Sequence, residues 1–314
     1  AAVLDYYRRF LEAVPTVADL AALPEDALMK LWQGLGYYSR ARNLLAAARQ
    51  VVERFGGEFP RSYDDIRSLP GIGDYTAAAI ASFAYGLPHA VVDGNVYRVL
   101  SRIYGIDIPI DTTEGKKLFA ALADELLDRQ DPGGYNQAMM EFGALYCVPR
   151  SPQCGGCIFA DRCMALATGR VEELPVKQGR TVVKPRYFNY FYVRHEGYTW
   201  VRRREGRDIW RNLYELPLVE TAEEQPLDAL QQSEVWGELF AGAGRVSVSA
   251  QVYSCKHVLS HRVIHARFYV VETEQKPAMP GYLRIEAGAI GDYAVSRLTE
   301  GFFEKMSMNY PSLF

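Results

Sequence analysis

The chain has 314 residues, of which 49% are hydrophobic, and this length favours two globular domains. Its net charge of −3 and isoelectric point near 6.0 exclude nucleic-acid binding through an overall basic charge, so any DNA contact must come from locally placed groups. The sequence contains no apolar run of membrane-spanning length and no signal-peptide pattern, and we expect a soluble, cytoplasmic protein.

Helical periodicity dominates the first 170 residues. Gly56 and Gly57 end one predicted helix, and Asp111 or Thr112 caps another. Helices are predicted at 1–13, 25–33, 39–55, 62–68, 74–85, 95–104, 113–128, 133–147 and 159–168. The region 1–170 is therefore expected to be mainly α-helical.

The composition changes after Gly169. Residues 171–186 are charged, contain two prolines and are predicted to be a linker. From Tyr187 onward, aromatic and β-branched residues alternate or run together between glycines, which predicts strands. A helix at 222–240, strands at 247–255 and 262–272, and a final helix at 294–305 complete a predicted α+β domain at 187–314.

A glycine turn joins the predicted helices 62–68 and 74–85. It reads Leu69-Pro70-Gly71-Ile72-Gly73, in which proline fixes one φ and the glycines admit positive φ. The free N–H groups of such a turn and of the following helix can face a phosphate, although many turns of this kind have no ligand.

An aspartate, Asp93, follows twenty residues after Gly73, between Val91-Val92 and Gly94-Asn95 at the start of a predicted helix. An aspartate in that place is commonly an N-cap. A carboxylate held at a fixed distance from a phosphate cradle also suits chemistry on a nucleic acid strand.

Four of the five cysteines lie within seventeen residues, with the spacing C-x6-C-x2-C-x5-C. They are Cys147, Cys154, Cys157 and Cys163. A zinc site is one interpretation, but structural zinc sites usually contain two C-x2-C pairs, and this stretch has one. Four thiolates around one loop also suit a cubane iron–sulfur cluster.

Several motifs resemble one family of repair enzymes. The string LPGIG-x-x-TA followed by VVDGNV resembles the helix-hairpin-helix DNA glycosylases, in which a hairpin precedes a catalytic aspartate. The cysteine spacing is similar to that of endonuclease III-like and MutY-like glycosylases, where it holds a [4Fe-4S] cluster. The stretches GLGYYSRARNL at 34–44 and NQAMMEFGA at 136–144 closely resemble the MutY family, which removes adenine opposite 8-oxoguanine.

The resemblance implies cleavage of a glycosidic bond on a flipped-out nucleotide. Asp93 would stabilise or trap the oxocarbenium-like sugar, and Tyr75 and Asn95 would orient Asp93 or the water. Glycosylases that nick DNA through a Schiff base carry a lysine where this chain has Tyr75, so we expect no lyase activity. Without the resemblance, Tyr75 reads equally well as a core aromatic.

The resemblance also implies DNA contacts. Tyr37 or Tyr38 would wedge into the base stack, and the cluster loop would rest against DNA. The other candidate contacts are Leu69, Gly71, Ile72 and Gly73 of the hairpin. Because the overall charge is not basic, DNA binding would also need locally placed arginines, such as Arg40, Arg42, Arg98 and Arg102. Arg150 and Arg162, in or beside the cysteine loop, are either phosphate contacts or ordinary solvated charges.

The C-terminal region resembles a Nudix fold at 210–217, WRNLYELP, but lacks the R-E-x-x-E-E helix that holds Mg²⁺ in Nudix hydrolases. We therefore expect a Nudix-like domain that reads 8-oxoguanine. The family's F-S-H loop is Leu259-Ser260-His261 here, and Ser260 and His261 would bond the N7–H and O8 of the lesion. His257, His261 and His265 recur every four residues, but apolar neighbours predict one strand and no shared metal ion.

The family supplies a proton to the leaving adenine from a glutamate in a segment of the type S-E-x-M-L-Q-Q-T. These 314 residues contain no such segment, so we expect little adenine excision from them alone. The expected partner is double-stranded DNA with A:8-oxoguanine or A:G mispairs, bound by a monomer working at the bacterial nucleoid. Two alternatives stay open: a damaged-DNA-binding protein without catalysis, and a thymine or pyrimidine-lesion glycosylase of the same fold.

Overall fold

The computed structural model describes residues 2–179, 183–249, 251–259 and 261–309. The chain divides into two compact units, one formed by residues 46–180 and the other by residues 1–45 together with 181–314. The predicted domain boundaries at 170 and 187 stay a prediction. None of the helices in the described ranges combines the length and apolar character needed to cross a bilayer.

Ten α-helices precede residue 170 in the described part of the chain. The helical periodicity predicted nine of them, and α2 was not predicted. They are α1 Ala2–Ala13, α2 Val17–Ala22, α3 Glu25–Leu31, α4 Tyr38–Phe55, α5 Tyr63–Arg67, α6 Asp74–Tyr85, α7 Gly94–Tyr104, α8 Thr113–Leu126, α9 Pro132–Leu145 and α10 Met164–Ala167. The unexpected helix α2 begins with a capping box, because the Thr16 side chain accepts from the Asp19 N–H and the Asp19 carboxylate accepts from the Thr16 N–H.

Helices α7 and α9 pack closely in the unit formed by residues 46–180. A Cβ added at Gly143 of α9 would lie 2.6 Å from the Asn95 Cβ, so only glycine fits there. Burial of Val96 and Leu100 of α7 against Phe119 of α8 holds the start of α7 in place. The hydrophobic core thereby fixes the residues around Asp93.

Eight strands and three α-helices follow residue 183 in the described part of the chain. They are β1 Lys184–Arg194, β2 Tyr198–Arg203, β3 Tyr214–Glu215, β4 Leu218–Thr221, β5 Val246–Val248, β6 Tyr253–Val258, β7 Arg262–Thr273 and β8 Leu283–Glu286, with α11 Leu227–Gln231, α12 Glu234–Leu239 and α13 Arg297–Asn309. One sheet has the order β4-β1-β7-β5, with β6 also paired to β7, and the other has the order β3-β2-β8.

The larger sheet is covered on both faces because β1 is apolar on both sides. Phe188, Tyr190 and Tyr192 pack with Phe302 of α13, whereas Phe191 packs with Trp236 of α12 on the opposite face. Strand β1 runs parallel to β7 along its whole length, as expected for a strand buried on two faces.

Two expectations for this region were wrong in detail. The helix predicted at 222–240 is two short helices, because the Ser233 hydroxyl caps α12 and starts a new helix there. The histidine repeat does not lie on one strand: His257 is in β6 and His265 is in β7. Their register partners, Ile264 and Lys256, show that the two histidines point to opposite faces of the sheet, so they cannot share an ion.

Polar contacts join residues 25–42 to the strand-rich part within the same compact unit. The Gln33 amide donates to Glu300 Oε1 at 2.9 Å, and Arg42 Nη1 donates to the carbonyl of Arg211 at 2.8 Å. Asn212 Nδ2 also donates to Glu25. The turn that precedes α4 is therefore held by residues more than 160 positions away.

Candidate catalytic site and nucleic-acid interface

Asp93 is the N-cap of α7. Its Oδ1 accepts from the N–H groups of Asn95 and Val96 at 2.9 and 2.8 Å, and its Oδ2 accepts from Asn95 Nδ2 at 2.9 Å. A carboxylate has about four acceptor positions, so Oδ2 keeps one for a ligand. The capping bonds therefore leave one lone pair of the carboxylate available for another contact.

Asn95 is itself held by a buried arginine. Arg98, which is 9% exposed, donates from Nη2 to Asn95 Oδ1 at 2.9 Å and to the Gly143 carbonyl at 2.6 Å. Its Nε donates to the Cys147 carbonyl at 2.6 Å. One guanidinium thus links the amide that contacts Asp93 to the backbone of the first cysteine, and burial together with the charge of Arg102 lowers the pKa of Arg98.

The segment leading to Asp93 is fixed from the other side by Asn136 of α9. The Asn136 Oδ1 accepts from the Val91 N–H at 3.0 Å, and its Nδ2 donates to Ser82 Oγ and to the His89 carbonyl, both at 2.9 Å. Asn136 is 2% exposed, so water does not compete for these hydrogen bonds. They hold the segment that leads to Asp93 in one conformation.

Tyr75 lies in the first turn of α6 and is 44% exposed. Among the residues that the structure describes, no hydrogen bond joins the Tyr75 hydroxyl to Asp93. The side chain is therefore on the surface instead of in the core, and its orienting role stays a prediction.

The glycine hairpin is a closed turn that leads directly into an uncapped helix. Gly71 has φ of 79°, and the Ile72 N–H donates to the Leu69 carbonyl at 3.1 Å, which closes the turn. Gly73 is the N-cap of α6 and makes no side-chain cap, so the N–H groups of the first turn have no partner within the helix. Leu69 is 2% exposed as a whole residue, so neither its side chain nor its backbone is accessible in this structure, and its contact with DNA stays a prediction.

Replacing Gly73 with alanine tests the hairpin without straining it. Gly73 has φ of −97°, and an added Cβ would meet no atom within 4 Å, so stability should change by less than about 1 kcal/mol. The methyl group would block a phosphate, and we expect duplex affinity to fall about tenfold at fixed salt. Gly237→Ala, in α12, is the matched control because its Cβ also meets nothing. Unchanged affinity in Gly73→Ala would contradict the phosphate assignment.

The four cysteines of the 147–163 loop line one cavity together with Phe142, Phe159, Tyr146 and Arg102. Burial and the neighbouring thiols of Cys163, Cys147 and Cys157 raise the pKa of Cys154, so four thiolates there need a cationic group between them. In the described part of the chain no group of three or more His, Cys, Asp or Glu side chains is arranged to hold one metal ion. The cavity brings together the four cysteine side chains that a [4Fe-4S] cluster takes as ligands, and the residues present therefore fit a cluster.

Two arginines that were expected to contact DNA are structural, and that prediction was wrong. Arg102 is 2% exposed and donates to the carbonyls of Val148, Pro149 and Leu174 at 2.8 to 3.1 Å. Its Nη1 also lies 3.4 Å from Cys147 Sγ. Arg98 and Arg102 donate hydrogen bonds to backbone carbonyls of the cysteine loop and its start. Arg150 and Arg162, in or beside the loop, are exposed.

The other compact unit brings together predicted DNA contacts that are far apart in sequence. Residues 34–39, 207–210, 257–259, 261 and 262 line one cavity of about 670 Å³, which includes Tyr37 and His261. Tyr37 is 67% exposed with φ of 47°, and Arg40 stacks on its ring at 4.5 Å. Tyr38 is 7% exposed, and its hydroxyl accepts from the Gly34 N–H, so Tyr37 is the exposed member of the pair. Ser260 lies outside the described residues.

Sequence reasoning missed three kinds of residue at these sites. It missed Asn136 as the support of the Asp93 segment, Arg98 as the partner of Asn95, and Arg207 and Trp210 as lining of the second cavity. Asn136 lies in α9, within the 136–144 motif. Nothing in the neighbouring sequence indicates its contact with Val91, because the two residues are far apart in the chain.

Comparison with known proteins agrees with this architecture. The profile described as "HhH-GPD superfamily base excision DNA repair protein" matches residues 1–125, "NUDIX domain" matches residues 189–305, and "Iron-sulfur binding domain of endonuclease III" matches residues 147–163. The predictions of a helical glycosylase region, a [4Fe-4S] loop and a Nudix-like domain are confirmed.

Curated relatives carry the name adenine DNA glycosylase. The protein of Buchnera aphidicola subsp. Baizongia pistaciae is 30% identical over 84% of this chain and 72% of its own length. The protein of Rattus norvegicus is 44% identical over 56% of this chain, which spans about a third (35%) of the rat protein. A solved thermostable thymine-DNA glycosylase aligns with 52% of this chain and 76% of its own, with 30% identity and a TM-score of 0.49. The chain belongs to the adenine DNA glycosylase family, a group of DNA N-glycosylases within the HhH-GPD superfamily of base-excision repair.

Proposed function

We propose that this protein removes adenine paired with 8-oxoguanine or guanine in double-stranded DNA by hydrolysing the N-glycosidic bond. The observation that carries the proposal is the half-buried Asp93 carboxylate, which keeps an acceptor position on Oδ2 and belongs to the same compact unit as the uncapped N-terminus of α6. The names of the relatives support adenine as the excised base.

The chemistry follows from the arrangement of the carboxylate. Loss of the base leaves positive charge on the sugar, and a fixed negative oxygen lowers the energy of that state. Asn95 and Arg98 hold the carboxylate in one orientation, which removes the cost of reorganising it during the reaction. Tyr75 offers no amine, so we propose a monofunctional enzyme that forms no Schiff base with DNA.

The four cysteines would hold the [4Fe-4S] cluster, which supplies a rigid fold to the 147–163 loop. We propose that this loop and the 69–73 hairpin bind the phosphate backbone, and that Tyr37, Arg40, Ser260 and His261 contact the strand with the oxidised purine. We expect a monomer that acts in the cytoplasm, at the chromosome.

The test compares two polypeptides: the 314 residues, and an extended chain that carries a segment of the type S-E-x-M-L-Q-Q-T in front of them. Because a general acid contributes about 10²–10⁴-fold, we expect the extended chain to excise adenine opposite 8-oxoguanine that much faster. Duplexes with A:G, A:T and T:G pairs define the substrate, and borohydride trapping should give no covalent complex. Equal excision rates for the two polypeptides would contradict the role of the added glutamate as general acid. Excision of thymine would contradict the proposed substrate.

A further inference from the structure

A bulky residue has a strained backbone at the edge of the 670 Å³ cavity. Trp210 has φ of 57°, a conformation that is rare for a large side chain, and Asn212 follows with φ of 67°. Such strain persists only where surrounding contacts enforce it, and it concentrates at sites that hold ligands.

Four hydrogen bonds enforce this conformation. The Leu213 N–H donates to the Trp210 carbonyl at 3.0 Å, and the Asn212 N–H donates to the Arg204 carbonyl at 2.7 Å. Arg204 Nε donates to the Ile209 carbonyl at 3.1 Å, and Arg42 Nη1 to the Arg211 carbonyl at 2.8 Å. The backbone on both sides of Trp210 is therefore fixed independently of the indole ring.

The indole is partly buried between the hydrophobic core and the cavity. Its ring meets Phe188 edge-on at 6.2 Å between centroids and His257 at 5.7 Å. Burial lowers the pKa of His257, so this imidazole is neutral at neutral pH. The Trp210 indole and the His257 imidazole, whose planes are inclined by 60°, are two uncharged rings in the lining of a cavity that also contains the exposed Tyr37.

The charges around these two rings fit a nucleic acid strand. Arg42, Arg207 and Arg262 line the cavity and have no ion-pair partner among the described residues. The acidic lining residue, Asp208, is ion-paired with Arg186 at 2.6 Å and Arg204 at 3.0 Å. A positive, aromatic cavity in a chain of net charge −3 is complementary to a base carried on phosphates.

We propose that the Trp210 indole is the wall against which the oxidised purine opposite the target adenine packs, which makes Trp210 a specificity-determining residue. The assignment rests on the proposed function, and it extends lesion recognition from the 259–261 loop to the loop between β2 and β3. Held in place by the backbone bonds, the indole loses little freedom when the base arrives.

The test measures binding to three duplexes that carry a non-cleavable 2′-fluoro-deoxyadenosine opposite 8-oxoguanine, guanine or thymine. The proteins are the wild type, Trp210→Ala, Trp210→Phe and the control Trp236→Phe, whose buried indole lies in α12. We expect Trp210→Ala to weaken binding of the 8-oxoguanine duplex about tenfold and that of the thymine duplex less than about twofold. Trp210→Phe and Trp236→Phe should retain most of the preference for 8-oxoguanine.

Tryptophan emission gives a second readout that does not depend on the stability of the alanine variant. The 8-oxoguanine duplex should quench the emission of the wild type and of Trp236→Phe, and Trp210→Phe should lose this quenching. Equal weakening for all three duplexes, or unchanged quenching in Trp210→Phe, would overturn the assignment. A wild type that does not discriminate among the duplexes would instead overturn the proposed function, and the Trp210 assignment with it.

Discussion

Replacing Asp93 with asparagine is expected to lower the rate of adenine excision by the extended chain roughly 10³-fold and to leave its thermal stability almost unchanged. Asparagine caps a helix as well as aspartate does, so the bonds to the Asn95 and Val96 N–H groups can persist. The variant therefore removes the negative charge and keeps the cap. Single-turnover rates and thermal unfolding measure the two effects separately.

Asp93→Ala is the matched control for capping. It removes both the charge and the cap, so it should lose the same activity and in addition about 1 kcal/mol of stability. If Asp93→Asn in the extended chain excised adenine at a rate within tenfold of that of the unsubstituted extended chain, the carboxylate would act only as the cap of α7.

Arg98→Lys is expected to destabilise the protein by about 3 kcal/mol and to lower excision about tenfold. The guanidinium donates to the carbonyls of Cys147 and Gly143 and to Asn95 Oδ1, three acceptors that a single ammonium group cannot reach together. The buried carbonyls would lose their partners, and the Asn95 amide would be free to turn away from Asp93. Urea unfolding and single-turnover rates measure the two losses, and visible absorbance measures the cluster content.

The control for Arg98→Lys is Arg129→Lys. Arg129 is exposed and pairs with Asp124 at 2.8 Å, so its replacement should change neither stability nor rate. Because Arg98 acts through Asn95, its loss should lower the excision rate without weakening binding of an intact duplex. Equal losses of rate and binding would indicate a general structural effect and contradict the positioning role.

Local signals predicted most helices because their ends carry caps and glycines. Helix α2 was missed although Thr16 and Asp19 form a capping box, since six residues give little periodicity. Strand β8 has no local signal either, because its register with β2 joins residues more than 80 positions apart. Predictions of this kind fail where a short element depends on a distant partner.

The same reason separates the site residues that were predicted from those that were not. Asp93, the hairpin and the cysteines are recognisable in short motifs, whereas Arg98 and Arg102 are buried against the carbonyls of Gly143 and Val148, at least 45 positions away. The burial of Tyr38 was predictable, because it continues the helical stripe of Ala41 and Leu45. Nothing in the sequence around Trp210 indicates its positive φ.

We propose that Asp93 faces the positive charge that develops on the sugar. Binding to a duplex with a cationic aza-sugar at the target position, compared with a neutral tetrahydrofuran abasic site, tests it without requiring turnover. We predict that the wild type prefers the cationic duplex by about 10²-fold and that Asp93→Asn binds both equally. An Asp93→Asn variant that kept the full preference would contradict the account.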